Sequence, residues 1–170
     1  MSLPLSVSLP AMLADGGDRE FRQLIYRMII TQSRLVDIRK AIAARVGVSA
    51  PQYTMMMAIL HLQNASGISI GDLAEHLEVT GPHVTGEVRK LAEMELVRKT
   101  VNPHDARGVL VRLSREGKRR LVRTFPFIQR VNDILFEGVT AEEFRALARF
   151  NRKFMATTAA ALRFADQQGE

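Results

Sequence analysis

The stretch VRKTVNPHDARGVLVRLS, Val97–Ser114, decides the fold of this chain. Its two ends read as short strands. Val97, Thr100 and Val101 lie on one side, and Val109, Val111 and Leu113 alternate with Leu110 and Arg112 on the other. β-Branched residues at a period of two suit a pleated strand. Between the strands NPHDARG, residues 102–108, opens with Asn-Pro and closes with Gly, which is a loop signature. The expectation is a hairpin whose tip carries His104 and Arg107, with Asp105 between them.

Working back from the hairpin, residues 69–96 have the spacing of two short helices joined by a tight turn. Ser69 with Asp72 caps the first, whose inner face is Ile70, Leu73, Ala74 and Leu77. Glu78-Val79 is the turn. Thr80 caps the second helix, with Gly81 and Pro82 in its first turn, where a missing N–H costs nothing. Val84, Val88 and Leu91 point inward, which leaves Gly81, His83, Thr85, Gly86, Arg89 and Lys90 outward. Helix, turn, helix and a basic-tipped hairpin make a winged helix. Such a module sets its second helix in the major groove of DNA and its wing against phosphates or the minor groove. Thr80, Gly81, Pro82, His83, Thr85, Gly86, Arg89, Lys90, His104 and Arg107 are the candidate DNA contacts. A guanidinium suits a narrow, electronegative minor groove, so Arg107 belongs to the wing's contact. Asp105 repels DNA as a free charge and is assigned to shaping the wing by pairing with an arginine.

The flanks are helical. Phe21, Leu24, Ile25, Met28, Leu35, Ile38 and Ile42 form a stripe at three- and four-residue spacing from Asp18 to about Val46. Ser49 and Gln52 fit a capping box for a helix to about Gln63, apolar on two sides and so expected between neighbours. After the hairpin, Ser114–Glu137 carries Leu121, Phe125, Ile128, Val131 and Leu135, and Pro126 is expected to kink or split it. Thr140 and Glu143 cap a last helix running to about Phe164. The organisation expected is a flexible arm at 1–17, a dimerisation helix at 18–47, a winged-helix domain at 48–114, dimerisation helices at 115–165 and a tail at 166–170. The fold class is mainly α with a small β-wing.

Composition narrows the functions. The chain has 170 residues, a formal charge of +6 and no cysteine. A basic surplus favours a polyanionic partner. From Pro82 to Arg120 there are ten Lys/Arg and five Asp/Glu, a net of +5, so the surplus is concentrated around the second helix and the hairpin. Without cysteine there is no disulfide, thiol switch or thiolate metal site. The four histidines lack ligand spacing, since His76 and His83 straddle the turn, and no metal or cofactor is expected. Nucleotide-binding and hydrolase signatures are missing: Glu87-Val88 follows Gly86 where a phosphate-binding loop needs Lys and Ser/Thr. No enzyme activity is expected. The N-terminal residues lack a basic leader and no apolar run is of membrane-spanning length, so a cytoplasmic protein is expected.

Asp105-Ala106-Arg107-Gly108, followed by Val109-Leu110-Val111-Arg112-Leu113-Ser114, resembles the wing signature of the multiple-antibiotic-resistance regulator (MarR) family of bacterial winged-helix repressors. Asn102-Pro103 and the start of the capped helix, VSAPQY at 48–53, are similar as well, and the resemblance extends over about residues 18 to 165. Two positions depart from the pattern: Gly86 stands after Thr85 where a basic residue is common, and Glu95 replaces a usual Gly. The resemblance implies a dimer built by the terminal helices, a palindromic double-stranded DNA operator and repression. It also implies a pocket for small aromatic acids near the first, second and fifth helices. Met55–Met57 either line that pocket or are plain core. Tyr26, Tyr53, Met56, Met57 and His61 are the candidate ligand residues. Two other functions fit a winged helix: an architectural DNA binder without a ligand, and a protein-interaction module.

Overall fold

The computed structural model describes residues 4–103 and 105–167, with side chains given outside 105–107. A 3-10 turn at Pro10–Met12 precedes α1 (Arg19–Val46), α2 (Ala50–Leu62), β1 (Ile68–Ser69), α3 (Ile70–Leu77), α4 (Gly81–Glu93), β2 (Val97–Asn102), β3 (Asp105–Leu113), α5 (Arg115–Leu135) and α6 (Ala141–Gln167). The chain divides into two units, one ending at Phe127 and one beginning at Ile128, so the division falls inside α5.

The first unit holds the winged helix. α2 is its centre: Tyr53, Met55, Met56, Ala58 and Ile59 are all buried, as a helix apolar on two sides requires. The expected capping box forms, with Ser49 Oγ accepting from the Gln52 N–H and Gln52 Oε1 accepting from the Ser49 N–H at 2.9 Å. Leu73 of α3 and Val84, Val88 and Leu91 of α4 close on it and are essentially inaccessible. The three strands form an antiparallel sheet in the order β1-β3-β2. Val111 sits opposite both Ile68 and Lys99 and is fully buried.

The wing differs from its sequence reading in three ways. β1 is only two residues long, too short for periodicity to signal. β3 begins at Asp105, which pairs with Asn102, so most of the expected loop at 102–108 is strand. Thr100 lies on the opposite face from Val97 and Val101, because alternation groups Val97, Lys99 and Val101, and that face leaves the core beyond Val97, with Val101 70% exposed.

One junction fixes the wing to the end of α4 and to α5. Ser114 Oγ donates to the Glu95 carbonyl at 2.6 Å and accepts from the Gly117 N–H at 2.9 Å, while the Ser114 N–H donates to the Leu96 carbonyl. α5 therefore starts against the turn that ends α4. The approach is so close that a Cβ on Gly117 would overlap the Leu96 carbonyl oxygen. Pro126 lies inside α5 without splitting it. The carbonyl deprived of its donor belongs to Val122, which is 68% exposed, so water can satisfy it.

Residues 4–17 are tied to the start of α1 by Ser6. Asp18 is buried and its Oδ2 accepts from both the N–H and the Oγ of Ser6, at 2.7 and 2.6 Å, while Oδ1 pairs with Arg22. Of the stripe on α1 only the last turns are buried, at Ile42, Ala43 and Val46; Leu24 and Leu35 are exposed, as are Ile29, Ile30 and Val36 beside them. Phe125, one of the apolar positions of α5, is 40% exposed.

In the second unit Thr140 and Glu143 form the third expected cap, with Glu143 Oε2 accepting from the Thr140 N–H at 2.8 Å. The rings of Phe136 and Phe144 meet edge to face, and those of Phe150 and Phe154 stack at 5.0 Å. α6 nonetheless has no buried residue: Phe144, Leu147, Phe150, Met155, Leu162 and Phe164 all face outward. No helix among the described residues is long and apolar enough to cross a membrane.

Candidate nucleic-acid interface

α4 separates its two faces cleanly. Val84, Val88 and Leu91 are inward, and Pro82, His83, Thr85, Arg89 and Lys90 are exposed. The Thr80 hydroxyl accepts from the His83 N–H at 3.4 Å, so Thr80 caps the start of the helix rather than projecting freely from it. Gly81 and Gly86 are half-buried, yet a Cβ at either would meet no atom outside the helix's own backbone within 4 Å. Glycine in a helix interior costs about 1 kcal/mol relative to alanine. Nothing within the described residues makes Gly86 necessary.

The two cations of α4 are not equivalent. Lys90 Nζ lies 2.7 Å from Glu87 Oε1, and Glu87 is itself buried. Lys90 is thus held by its own helix. Arg89 is only loosely near Glu93, at 3.9 Å, and its side chain is 70% exposed. Glu87 was not among the sequence candidates, although the three-residue Glu–Lys spacing on one helix face signals such a pair.

The wing lies beside this face. Thr85 and Val88 of α4, Ser69 and Ile70 from the start of α3, and Lys99 and Val109 of the sheet line one open cleft of about 510 Å³. α4 and the hairpin therefore border a common groove. Arg98, Lys99 and Arg112 are exposed strand cations beyond the sequence candidates; the basic surplus of residues 82–120 was their signal. His104 lies outside the described residues, as do the side chains of Asp105 and Arg107.

The turn after α4 carries Glu95 at φ +60°, in the left-handed region that favours glycine. Its N–H donates to the Ala92 carbonyl and the Leu96 N–H to the Leu91 carbonyl, closing the helix. The departure noted at Glu95 thus falls on a position whose backbone wants no Cβ.

The candidate ligand residues are dispersed. Tyr53 and Met56 are core, with Arg39 stacked over the Tyr53 ring at 5.4 Å; burial pushes the Tyr53 hydroxyl's pKa up, which Arg39 partly offsets. Met57 is half-buried, and its carbonyl shares a 2.8 Å hydrogen bond with Nδ1 of the exposed His61. Tyr26 is 67% exposed on α1. Among the described residues no group of three or more His, Asp or Glu could hold a metal ion.

Comparison with known proteins finds one family model, over part of the chain, and one fold. The model of the MarR family matches residues 46–108. Among solved structures, a MarR-family transcriptional regulator from Rhodococcus sp. RHA1 superposes with a TM-score of 0.66 at 16% identity, over 78% of this chain and 92% of that one. BpsR of Bordetella bronchiseptica, described with the regulation of its DNA binding by 6-hydroxynicotinic acid, gives 0.64 at 22% identity over 78% and 98%. A mutant MepR of S. aureus bound to an oligodeoxyribonucleotide gives 0.53 at 18% identity over 81% and 97%. No curated protein matches the sequence.

Proposed function

We propose, for a chain that carries a MarR-family winged-helix domain over residues 46–108, that it acts as a dimeric, sequence-specific DNA-binding repressor in the cytoplasm. The observation that carries this is the face of α4: Pro82, His83, Thr85 and Arg89 project from a helix whose opposite side is locked into the core, beside a basic wing. α4 enters the major groove, Thr85 and Arg89 meet base edges or phosphates, and Arg107 reaches from the wing. His104 and Arg107 enter on their place in the sequence. Lys90 serves chiefly to hold Glu87, and Thr80 to start the helix.

The partner copy is argued from uncovered apolar surface. The outer part of α1 and the whole of α6 expose large hydrophobic side chains that water would otherwise solvate, which is the mark of an interface. A two-fold dimer presents two recognition helices to half-sites about 34 Å apart, so its operator is an inverted repeat.

A small aromatic carboxylate is the expected releasing ligand. Support comes from the regulation of the Bordetella protein by 6-hydroxynicotinic acid, and from Met57 and His61 offering surface at the outer side of α2. Such a ligand acts only by binding the DNA-incompetent arrangement more tightly.

Selection of duplexes from a random library tests the reading. An inverted repeat is expected to emerge. Arg107→Ala is expected to weaken its binding by about 1–3 kcal/mol with an unchanged circular dichroism spectrum. Unchanged affinity removes the wing from the interface. Aromatic acids titrated into the complex, with Met57→Ala and His61→Ala alongside, test the ligand.

A further inference from the structure

We propose that the cleft between the end of α1 and the first turns of α5 binds a small anion carrying two or more phosphate groups. The cleft measures about 390 Å³, within the range of about 300–1,000 Å³ typical of small-molecule sites. Arg45, Arg119, Arg120 and Arg123 line it, with Glu116 as the one carboxylate in the lining. Four guanidinium groups against one carboxylate leave three uncompensated positive charges around one concavity.

Three of the four arginines have a partner that holds them. Glu116 pairs with Arg119 at 2.5 Å and with Arg120 at 3.0 Å, bracing both from one side. Arg45 lies over the Phe127 ring with its central carbon 4.1 Å from the centroid. A stacked guanidinium uses its flat face for the ring and keeps its in-plane N–H donors for another acceptor. Arg123 has no ion pair or hydrogen bond among the described residues. Gly47 turns the chain at φ +82° beside this group; a Cβ there would come within 3.2 Å of an Arg120 terminal nitrogen. The chain reversal after α1 and the start of α5 are thereby brought together around the cleft.

Charge and geometry select the ligand class. Like charges this close repel, so an unoccupied cluster lowers stability and a bound anion relieves the repulsion. The guanidinium fork matches phosphate oxygens in pairs. A single carboxylate reaches two arginines, as Glu116 does, and leaves the others unanswered. A chain of phosphates spans Arg45 and Arg123 and reaches the free edges of Arg119 and Arg120. The carbonyl end of α1 opposes an anion with about half a charge, less than the cluster supplies.

Phosphates come from a free small molecule or from the backbone of bound DNA, and one set of titrations separates the two. The full-length protein is titrated with inorganic tripolyphosphate by calorimetry, together with Arg45→Gln, Arg123→Gln and Arg89→Gln. One saturable site per chain is expected. Arg45→Gln and Arg123→Gln each weaken it about tenfold or more, the worth of one charge-assisted contact. Arg89→Gln leaves it intact. Duplex binding by the Arg45 and Arg123 variants, with their circular dichroism unchanged, is expected to match the wild type. Three results overturn the proposal. The first is no saturable uptake at millimolar concentration. The second is uptake unaltered in the Arg45 and Arg123 variants. The third is loss of duplex affinity in those variants without loss of tripolyphosphate binding, which assigns the cluster to the DNA backbone. The calorimetry needs no operator, so it stands even if the duplex selection fails.

Discussion

Two single positions show how the chain departs from its local preferences. Glu95 holds a left-handed conformation that glycine adopts without penalty. Glu95→Gly removes that strain at some cost in unfolded-chain entropy, and denaturant melts should show a net gain of up to about 1 kcal/mol. A loss would mean that the Glu95 side chain makes a contact that outweighs its backbone. Asp18 sits below its usual pKa chiefly because Ser6 donates to it from its hydroxyl and its N–H, with Arg22 adding to the effect and burial opposing it. A carboxylate depressed in the folded state contributes stability that is complete above its unfolded value, near 3.8, and is lost as pH falls through the lower folded value. Wild-type protein should therefore lose more stability between about pH 5 and about pH 3 than Asp18→Asn does. Parallel acid titrations followed by circular dichroism check this, and superimposable curves would refute the Ser6 anchor as a stabilising contact.

At the scale of elements, α4 offers the sharpest test. Gly86 costs the helix stability and meets nothing that requires it. The gain from Gly86→Ala should be about 0.5–1 kcal/mol in the free protein. If the backbone at Gly86 lies close to DNA, the same change weakens duplex binding. Greater stability with unaltered affinity would leave Gly86 as a mere weak point of the helix. The elements were legible where a stop signal met a strong period. Ser49, Ser69, Thr80 and Thr140 each mark a helix start that forms as expected, because a capping side chain answers a need of the adjacent backbone alone. Legibility failed where pairing across the chain decides. β1 owes its existence to Val111 and Leu110, more than forty residues away. The inner face of β2 ends at Val97 because the sheet rises off the core there, which alternation within the strand does not record. The restraint of Lys90 by Glu87 was readable in the spacing, but the burial of Glu87 required the packed helix. The arginine cleft was not readable at all: Arg45 and Arg120 lie far apart in sequence, and only the junction at Ser114 and Gly117 sets the start of α5.

Taken as a whole, the molecule has more apolar surface than one copy covers. α6 buries none of its residues, and α1 leaves Leu24, Ile29, Ile30, Leu35 and Val36 exposed. Light scattering should find a species of about 38 kDa, twice the 19.0 kDa chain, at micromolar concentration. A stable monomer would leave the operator without its two-fold symmetry. Binding to DNA remains the central claim, and its most direct test is a fluorescence-anisotropy titration of a selected inverted-repeat duplex against a scrambled duplex of equal length across a salt series. Phosphate contacts release counterions from either duplex, so affinity for both should fall as salt rises. Base contacts from α4 discriminate between them, so the selected duplex should bind at least about a thousandfold more tightly at physiological salt. Equal affinity for the two duplexes would contradict a sequence-specific regulator and indicate an architectural binder, and no binding to either would make the winged helix a protein-interaction module.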